Sequence, residues 1–402
     1  MADYMRVYAD NAATTKVSAA AREAMLPALD ELYGNPSSLH SVGQAAATAM
    51  AEARMTVGGL LGAADPMREI YFTSGGSEAD NQALISAAAF GALKGKKHLI
   101  STKFEHHAIL HTLKKLQKQG FEVTLLDVHE NGVVTPQDVR AAIRPDTALV
   151  SVMFANNELG TLQPIREIGA ICREMGVPFH CDAVQAVGHV PIDVQEMNID
   201  MLSLSGHKFH APKGVGALYM KKALLPLTNV IEGGAQERGK RAGTENIPGI
   251  LAMAAAMKES CANMEREAPR ITAMREKLIT ELTKIPHSCL NGDRENRVPG
   301  TVNMCFEGIE GESLLMYLDM HGIEASSGSA CSSGSLEPSH VLLSIGLPVE
   351  VAHGSLRLSI GELNTMEEID HIIQWVPKVV ERLRQMSPFW DEIEQGQRPH
   401  LI

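Results

Sequence analysis

Lys208 and Asp182 are the two residues of this sequence whose types and positions most directly suggest chemistry. Each follows a short apolar run, Lys208 within Ser203–Gly216 (SLSGHKFHAPKGVG) and Asp182 within Pro178–Gly188 (PFHCDAVQAVG). A buried lysine amine can be a Schiff-base nucleophile, and a carboxylate can keep the ring nitrogen of pyridoxal phosphate protonated. Taken alone, each has a simpler explanation, as a surface-loop lysine and as a helix-capping aspartate. Together, at two successive strand ends, they could face the same ring.

A third stretch, Phe72–Asn81 (FTSGGSEADN), is typical of a strand, a tight turn and the start of a helix. Main-chain N–H groups at that helix start, around Gly76, could hold a phosphate together with the Ser77 hydroxyl. The stretch is neither a G-x-G-x-x-G fingerprint nor a Walker loop, so it does not imply a nucleotide. Many turns have this composition, so the pattern alone is weak evidence.

Three further residues each have both a functional and a structural explanation when taken alone. His106 follows an apolar run and could stack on a flat ring and move protons, or could be an ordinary buried histidine. Asn157 follows another run and could orient a substrate or merely close a turn. Arg357 alternates with apolar neighbours, so it needs an anion, which could be a substrate carboxylate or a structural carboxylate.

Cys331 lies in a segment rich in serine and glycine, ASSGSACSSGS (residues 325–335). Such a segment could be a linker with an incidental thiol, or a mobile loop that carries a nucleophile. An ordinary thiol is only a few per cent thiolate at neutral pH, so a nucleophilic role requires activation. The sequence does not identify the source of that activation.

The elements that must position these residues alternate between short apolar runs and helical patterns. This rhythm predicts an α/β fold with a mostly parallel sheet between two layers of helices. The helical pattern over Glu78–Leu93 is rich in alanine, which suits packing on such a sheet. The predicted strands are Glu69–Thr73, His98–Thr102, Phe121–Val128, Ala148–Phe154, Val177–Cys181, Asp200–Leu204 and Gly214–Met220.

The pattern changes in the last third of the chain. A long helix over Pro248–Lys284 is followed by a strand at Thr301–Phe306, a helix at Glu312–Met320, a strand at Ser355–Ile360 and an amphipathic helix. We therefore predict a smaller α+β domain, formed by residues 1–15 and 258–402, beside a large domain of residues 16–257.

Composition excludes several functional classes. A net charge of −12 over 402 residues argues against a general nucleic-acid-binding surface. No apolar window is long enough for a membrane helix, and no secretory signal pattern opens the sequence. The six cysteines form no C-x-x-C pair, which predicts reduced thiols in a cytoplasm and no zinc or iron–sulfur site built by this chain alone.

The order and spacing of these motifs closely resemble the pyridoxal-phosphate-dependent cysteine desulfurases of the NifS type. The Lys208 stretch and the Cys331 stretch together make the resemblance specific, and it covers nearly the whole chain. The other stretches that carry it are Tyr8–Thr15 (YADNAATT), Gly34–His40 (GNPSSLH), Asn156–Ile165 (NNELGTLQPI), Asp182–Gly188 (DAVQAVG), Gln236–Asn246 (QERGKRAGTEN) and Ala352–Gly361 (AHGSLRLSIG).

The resemblance implies a fold-type-I enzyme, a homodimer and a role for each matching residue. Lys208 would form the Schiff base with pyridoxal 5'-phosphate, and Cys331 would accept sulfur. At the cofactor ring, Asp182 would contact the nitrogen, Gln185 the hydroxyl, and His106 would stack on the face. The residues implied around the phosphate are Gly76, Ser77, Ser205, His207 and the partner subunit's Thr244. The residues implied at the substrate carboxylate are Asn35, Asn157 and Arg357, and Asn157 would also lie near the cofactor. Cys181, beside Asp182, could be a second reactive thiol or, more simply, a buried structural cysteine.

By the same resemblance, the enzyme converts L-cysteine to L-alanine through a persulfide on Cys331. Its sulfur would pass to an iron–sulfur scaffold protein, and Cys331 could contact a transferred cluster. The residues after Cys331, Leu336–His340 (LEPSH), resemble the branch associated with nitrogen fixation, which suggests nitrogenase maturation. A selenocysteine lyase, a general sulfur donor, a fold-type-I aminotransferase and a non-catalytic sulfur-carrier partner are the alternatives.

Overall fold

A computed structural model describes residues 5–327 and 338–402. Cys331 and its neighbours at 328–337 therefore lie outside the described residues. The strands are β1 (Val7–Tyr8), β2 (Ile70–Thr73), β3 (His98–Thr102), β4 (Glu122–Leu126), β5 (Thr147–Ser151), β6 (Phe179–Asp182), β7 (Met201–Ser205), β8 (Gly216–Met220), β9 (Ser288–Leu290), β10 (Thr301–Phe306), β11 (Ile323–Glu324) and β12 (Ser355–Ser359).

The helices connect these strands and cover them, and a single 3₁₀ turn, Gly206–Lys208, follows β7. The helices are α1 (Ala19–Met25), α2 (Pro27–Asp30), α3 (Ser41–Leu60), α4 (Pro66–Glu69), α5 (Gly76–Leu93), α6 (His107–Lys118), α7 (Pro136–Ala142), α8 (Ile165–Glu174), α9 (Gln236–Gly239), α10 (Ile247–Leu282), α11 (Gly311–Asp319), α12 (His340–Ser344), α13 (Val349–His353), α14 (Met366–Gln385) and α15 (Pro388–Glu394).

The main sheet has seven strands in the order β2-β8-β7-β6-β5-β3-β4. All neighbouring pairs are parallel except those that include β8, which is antiparallel to both β7 and β2. The prediction of a mostly parallel sheet is therefore confirmed, and each predicted strand is present with ends shifted by up to three residues.

Neighbouring residues of the central strands belong to different apolar clusters. Leu99 and Leu149 pack in a cluster with apolar residues of α5 and α6, whereas Ile100 and Val150 pack in a cluster with residues of α3, α8 and α10. Since side chains alternate across a strand, both faces of the sheet are buried under helices. Strands buried on both faces explain why these segments are continuous apolar runs.

A second, three-stranded sheet, β12-β10-β9, belongs to the C-terminal part of the chain. The start of the chain joins this part, because β1 pairs in parallel with β11 and Val7 packs in the same apolar cluster as residues of β10, β12 and α14. The boundary we predict at 257/258 falls inside α10, and the division into two domains stays a prediction.

None of the helices within the described residues is long and apolar enough to cross a membrane.

Candidate active site

Four parallel strands end at the same edge of the main sheet, and each is followed by one of the predicted site residues. His106 follows β3, Asn157 follows β5, Asp182 ends β6 and Lys208 follows β7. The carboxyl ends of parallel strands form one crevice, so sequence-distant residues meet there. We call the region around Lys208, Asp182 and His106 the strand-end pocket.

The N-terminal segment closes over Lys208. The Lys208 Nζ donates hydrogen bonds to the main-chain oxygens of Ala12 (2.7 Å) and Ala13 (2.8 Å). Gln185 Nε2 donates to the same Ala12 oxygen at 2.9 Å. Behind the lysine, a ring nitrogen of His189 lies 3.0 Å from the Lys208 carbonyl oxygen, which fixes the turn that carries it. Lys208 and Gln185 are therefore neighbours.

Asp182 is buried, and its Oδ1 accepts a hydrogen bond of 2.9 Å from the Val184 N–H. Burial raises the pKa of this carboxyl from 3.8 to about 6, while the Val184 hydrogen bond and the charge of Lys208 oppose the rise. A positive charge beside Asp182 would favour its ionised form. Cys181 is fully buried, and burial raises the pKa of its thiol well above the usual range, which favours the interpretation of a structural cysteine.

His106 is the N-cap of α6, and its Nδ1 accepts a hydrogen bond of 3.1 Å from the Ala108 N–H. Burial, reinforced by the nearby charge of Lys208, lowers the pKa of His106 from 6.5 to about 4. The imidazole is therefore neutral at physiological pH. Because Nδ1 accepts a hydrogen bond, the single ring proton must lie on Nε2.

Beneath these residues lies a buried acid that the sequence analysis did not assign. Glu105 is fully buried, and its Oε1 accepts hydrogen bonds from Thr102 Oγ1 and the Met153 N–H, both at 2.9 Å. Its Oε2 has no partner among the described residues. Burial raises the pKa of Glu105 from 4.5 to about 8, and the charge of Asp182 adds to the rise. Its position directly before His106 was the available signal.

Asp80 is a second unassigned acid, buried in the alanine-rich helix α5. Burial and the charge of Asp182 raise the pKa of Asp80 well above its usual range. Its Oδ1 lies 3.7 Å from His180 Nε2, and burial lowers the pKa of His180 to about 3. An acid within an apolar helix was the signal here, since such a residue needs a reason to be buried.

The start of α5 is the place where the sequence predicts a phosphate site. The N-cap residue is Gly75, which has no side chain to cap the helix, and a Cβ at Gly76 would lie 2.6 Å from Val184 Cγ2. A Cβ at Gly75 would lie 3.6 Å from the Ser205 hydroxyl, so the turn and β7 adjoin. Ser77 is exposed at the same helix start. The N-terminal N–H groups of a long uncapped helix are suited to a phosphate.

His207 lies next to Lys208 and close to the N-terminal segment. One of its ring nitrogens lies 3.2 Å from Thr14 Oγ1, and its carbonyl oxygen accepts a hydrogen bond of 2.9 Å from the Thr15 N–H. Burial and the charge of Lys208 lower its pKa to about 4, so His207 is a neutral hydrogen-bonding group.

Arg357 defines a second region, the arginine corner, which consists of Arg357, Asp10, Asn157 and Glu158. Arg357 is 2% exposed; one terminal nitrogen donates to Asp10 Oδ1 (2.9 Å) and the other to the Asn157 carbonyl oxygen (3.0 Å). Its Nε is buried and has no partner among the described residues. Asn156 shapes this turn, since its Oδ1 accepts hydrogen bonds from the N–H groups of residues 158 and 159.

Both ends of the undescribed segment that carries Cys331 attach to these two regions. Before the segment, Ser326 forms a β-bridge with Arg357. After it, the Ser339 hydroxyl donates to Glu158 Oε2, and a ring nitrogen of His340 lies 3.0 Å from the Glu105 carbonyl oxygen. The described residue before the segment therefore contacts the arginine corner, and the described residues after it contact the arginine corner and the main chain of Glu105.

Two predicted residues lie apart from this assembly. Asn35 is exposed, and its Oδ1 accepts a hydrogen bond of 2.9 Å from the nearby Ser37 N–H. Thr244 is also exposed. No described contact joins either residue to the strand-end pocket, so their roles stay predictions.

The chemistry of these residues fits pyridoxal phosphate. The uncapped start of α5 suits its phosphate, Lys208 its aldehyde carbon, and buried Asp182 its ring nitrogen. Gln185, which shares an acceptor with Lys208, is close enough to reach a group on the same ring. The neutral imidazole of His106 can lie on a flat aromatic face.

Comparisons with known proteins agree on one family. The sequence model described as Aminotransferase class-V matches residues 7–372. The chain is 53% identical over 390 residues to a cysteine desulfurase IscS of Clostridium botulinum, covering 96% of this chain and 97% of that protein. It is 52% identical over 382 residues to a cysteine desulfurase IscS of Methanosarcina thermophila, covering 95% and 94%. A solved structure titled as a NifS-like protein superposes with a TM-score of 0.88 at 36% identity, covering 94% of this chain and all of the other.

Proposed function

The chain belongs to the aminotransferase class-V family and is a NifS-type, pyridoxal-phosphate-dependent cysteine desulfurase, and we propose that it moves sulfur from L-cysteine onto Cys331. The observation that carries the proposal is the convergence of three features. Lys208 and Asp182 lie together in the strand-end pocket, Arg357 offers a buried cation in the arginine corner, and the described residues that flank the Cys331 segment contact both regions.

Arg357 binds the substrate carboxylate in this proposal. Its Nε, which has no partner within residues 5–327 and 338–402, and its terminal nitrogens can form charge-assisted hydrogen bonds with an incoming carboxylate, which would compete with Asp10. Asn157 lies next to Arg357, since its carbonyl oxygen accepts a hydrogen bond from the guanidinium. Asn35 is the remaining residue that we propose at the carboxylate.

Lys208 and Asp182 hold the cofactor in this proposal. Asp182 would pair with the ring nitrogen, Gln185 with the ring hydroxyl, and Gly76, Ser77, Ser205 and His207 with the phosphate. When bound, pyridoxal phosphate supplies an electron sink for the bond changes at the substrate. Lys208 Nζ would take the proton from the substrate α-carbon, and His106 would hold a proton at Nε2 for return to the product.

Cys331 receives the sulfur. Its thiolate attacks the substrate sulfur, a sulfur–sulfur bond forms, and the bond between the β-carbon and sulfur breaks. The β-carbon gains a proton, so one L-cysteine and one protein thiol give one L-alanine and one protein persulfide, with no external oxidant or reductant.

Substitution of Cys331 by serine tests this role. Cys331→Ser is expected to bind L-cysteine and change the cofactor absorbance, but to release neither sulfide nor alanine in repeated turnover. The matched control is Cys261→Ser, because Cys261 is half-buried in α10 and burial raises its pKa. Normal sulfide release by Cys331→Ser would overturn the assignment.

We further propose that the sulfur serves iron–sulfur cluster assembly in a cytoplasm, through a scaffold protein. The relatives at 52–53% identity carry the name cysteine desulfurase IscS, and none of the names given above mentions nitrogenase. We therefore favour general sulfur delivery, and the nitrogenase role suggested by residues 336–340 stays a prediction. Loading the enzyme with ³⁵S-cysteine and identifying the labelled acceptor tests the proposal, and label found only in free sulfide would contradict it.

We also propose a homodimer in which Thr244 serves the partner's phosphate site. Exposed apolar side chains support an interface near the start of the chain: Leu39 is 94% exposed and Tyr33 70%, with Leu26 and Leu29 on the same stretch. Buried in a partner, these side chains would stabilise a dimer. If the sites are shared, a mixture of Lys208→Ala and Thr244→Ala chains should recover activity that neither has alone. Failure to recover, in a verified mixed dimer, would contradict the shared site.

A further inference from the structure

Two cysteines lie opposite each other in the C-terminal sheet, and no role has been given to either above. Cys289 is in β9 and Cys305 is in β10. The two strands are antiparallel, and their register places Cys289 directly across from Cys305. Directly opposite residues project from the same face of a sheet, so the two thiols are cross-strand neighbours.

The packing around the sheet agrees with this placement. Met304 and Leu290, the neighbours of the two cysteines along their strands, pack in one apolar cluster with residues of α14. Cys305 and Cys289 pack in the other cluster, which also contains Val351 of α13. Since side chains alternate across a strand, the two thiols share one covered face of this sheet.

The hydrogen bonds of the ladder fix the distance between the two backbones. The pairs two positions away on either side are joined by N–H···O bonds of 2.8 and 3.0 Å, Asn291 with Asn303 and Glu307 with His287. Hydrogen-bonded pairs alternate with other pairs along an antiparallel ladder, so Cys289 and Cys305 also form such a pair, with Cα atoms about 5.5 Å apart. Disulfides usually join Cα atoms about 4.4–6.8 Å apart, so the backbone separation already suits a disulfide.

One side-chain amide contacts both sulfur atoms. Cys289 Sγ donates to Asn291 Oδ1 at 3.5 Å, and Asn291 Nδ2 donates to Cys305 Sγ at 3.2 Å. The same nitrogen donates to Asn303 Oδ1 at 2.7 Å, which holds the amide in place. Both cysteines are free thiols. The amide therefore keeps two unbonded thiols beside the same group.

The two thiols differ in exposure and in acidity. Cys289 is half-buried, whereas Cys305 is fully buried. A hydrogen bond from Cys305 lowers the pKa of the Cys289 thiol, while the same interaction and burial raise the pKa of Cys305 well above its usual range. Because the thiolate is the reactive form, Cys289 is suited to attack a molecule from solvent. Cys305 is suited to react afterwards with Cys289 alone.

We propose that Cys289 and Cys305 form a dithiol site, which a low-molecular-weight disulfide of the glutathione type oxidises to a reversible cross-strand disulfide. The Cys289 thiolate attacks one sulfur of the small disulfide, which gives a mixed disulfide and releases one small thiolate. Cys305 then loses its proton and attacks the Cys289 sulfur, which releases the second small thiol. One small disulfide is thereby reduced to two thiols, and two protein thiols are oxidised to one disulfide.

The sheet makes this disulfide easy to reduce. Opposite residues of a ladder have Cβ atoms about 4.5–5.5 Å apart, whereas a disulfide holds them at about 3.8 Å. The two strands would therefore have to approach each other locally, and strained disulfides are the labile ones. In compartments that keep thiols reduced, disulfides are usually transient and redox-sensing, which is the behaviour expected of this pair.

The test is oxidation of the cofactor-loaded full chain by oxidised glutathione, followed by an acid quench, alkylation of free thiols, trypsin digestion and mass spectrometry. The chain carries Cys331→Ser, because no lysine or arginine separates Cys305 from Cys331 and both would otherwise lie in tryptic peptide 298–357. We expect this peptide to be linked to peptide 285–294, which contains Cys289. An excess of reduced glutathione should open the link.

Three further variants, made in the same chain, make the test specific. Cys305→Ser should accumulate a glutathione adduct on Cys289, because no thiol remains to displace it. Cys289→Ser should give neither the link nor an adduct on Cys305, which is buried. Cys261→Ser is the matched control, since Cys261 is the other half-buried cysteine of the described residues, and it should leave the link unchanged.

The proposal is overturned if oxidised glutathione produces no link between Cys289 and Cys305, or if the link persists in an excess of reduced glutathione. It is equally overturned if Cys305→Ser carries no adduct on Cys289. Serine is close to cysteine in size, so the variants should fold, which circular dichroism checks. The site does not depend on the desulfurase function, because its readout is thiol chemistry in a chain that lacks Cys331.

Discussion

In the strand-end pocket burial moves the acids and the imidazoles toward their neutral forms, whereas in the arginine corner the buried Arg357 is paired with a carboxylate. The pKa of His106 is lowered to about 4, and the pKa values of Asp182 and Glu105 are raised to about 6 and about 8. Arg357, equally buried, instead forms an ion pair with Asp10 at 2.9 Å, and in the same corner burial raises the pKa of Glu158 from 4.5 to about 7. The first region is suited to moving protons and the second to holding a substrate's charge.

The largest effect should follow from removal of the lysine in the strand-end pocket. Lys208→Ala is expected to lower alanine production from L-cysteine by roughly 10³-fold or more, because it removes both the covalent attachment and the base. Borohydride reduction followed by intact mass measurement should find no attached cofactor. Lys213→Ala, an exposed lysine of the same loop, is the control. If Lys213→Ala loses the attached cofactor instead, the assignment moves to Lys213.

The next effect concerns the arginine corner. Arg357→Ala is expected to raise the KM for L-cysteine by roughly 10–100-fold with a smaller change in kcat, since charge-assisted hydrogen bonds contribute about 1.5–3 kcal/mol. Arg357→Lys keeps the positive charge but loses the paired donors of the guanidinium, so its KM should lie between those of the unchanged protein and Arg357→Ala. Steady-state kinetics of alanine formation measure both.

An unchanged KM in both arginine variants would mean that Arg357 only pairs with Asp10. Asp10→Asn separates pairing with Asp10 from binding of the substrate carboxylate. It removes the negative charge that competes with the substrate carboxylate for the Arg357 guanidinium. This variant should lower the KM if the corner binds the carboxylate.

A third prediction concerns Glu105, whose folded pKa of about 8 exceeds its ordinary value of 4.5. Between these pH values the folded state keeps a proton that the unfolded state has lost, so this group makes the protein less stable as pH rises from 4.5 to 8. Glu105→Gln imitates the protonated acid. The free energy of unfolding of Glu105→Gln minus that of the unchanged protein should therefore be larger at pH 9 than at pH 6, by about 1–3 kcal/mol.

Urea unfolding at pH 6, 7.5 and 9 measures this difference. Glu174→Gln is the matched control, because that glutamate is exposed and its pKa is lowered by Arg140. A stability difference between Glu105→Gln and the unchanged protein that does not vary with pH would contradict the neutral state of Glu105.

The smallest effect should come from Cys181. Its thiol is buried in β6 with a pKa well above the usual range, so it is neither a nucleophile nor accessible. Cys181→Ala should keep turnover within about twofold and lose about 1 kcal/mol of stability. Iodoacetamide should leave Cys181 unlabelled in the native protein, and rapid labelling would revive the interpretation of a second reactive thiol.

Much of the strand-end pocket was predictable because a parallel sheet brings the residues after its strands to one edge. Lys208, Asp182, His106 and Asn157 each follow an apolar run, and each lies where that rule predicts. For these residues the position directly after a strand was enough to predict the location, because the sheet brings the ends of its parallel strands together. Gln185 was placed only by the resemblance of the DAVQAVG motif to the family, and in the structure its Nε2 shares the Ala12 oxygen with Lys208.

By itself, the sequence determined the class of fold, the family, the cofactor and the residues that follow the strands. Only the tertiary structure decided that the Ala12 oxygen meets Lys208, that Asp10 pairs with Arg357, and that His400 returns to Glu307. These contacts join distant segments whose pairing no local pattern encodes. The neutral states of Glu105 and His106 were likewise decided by burial, a property of the packed molecule and not of the residue types.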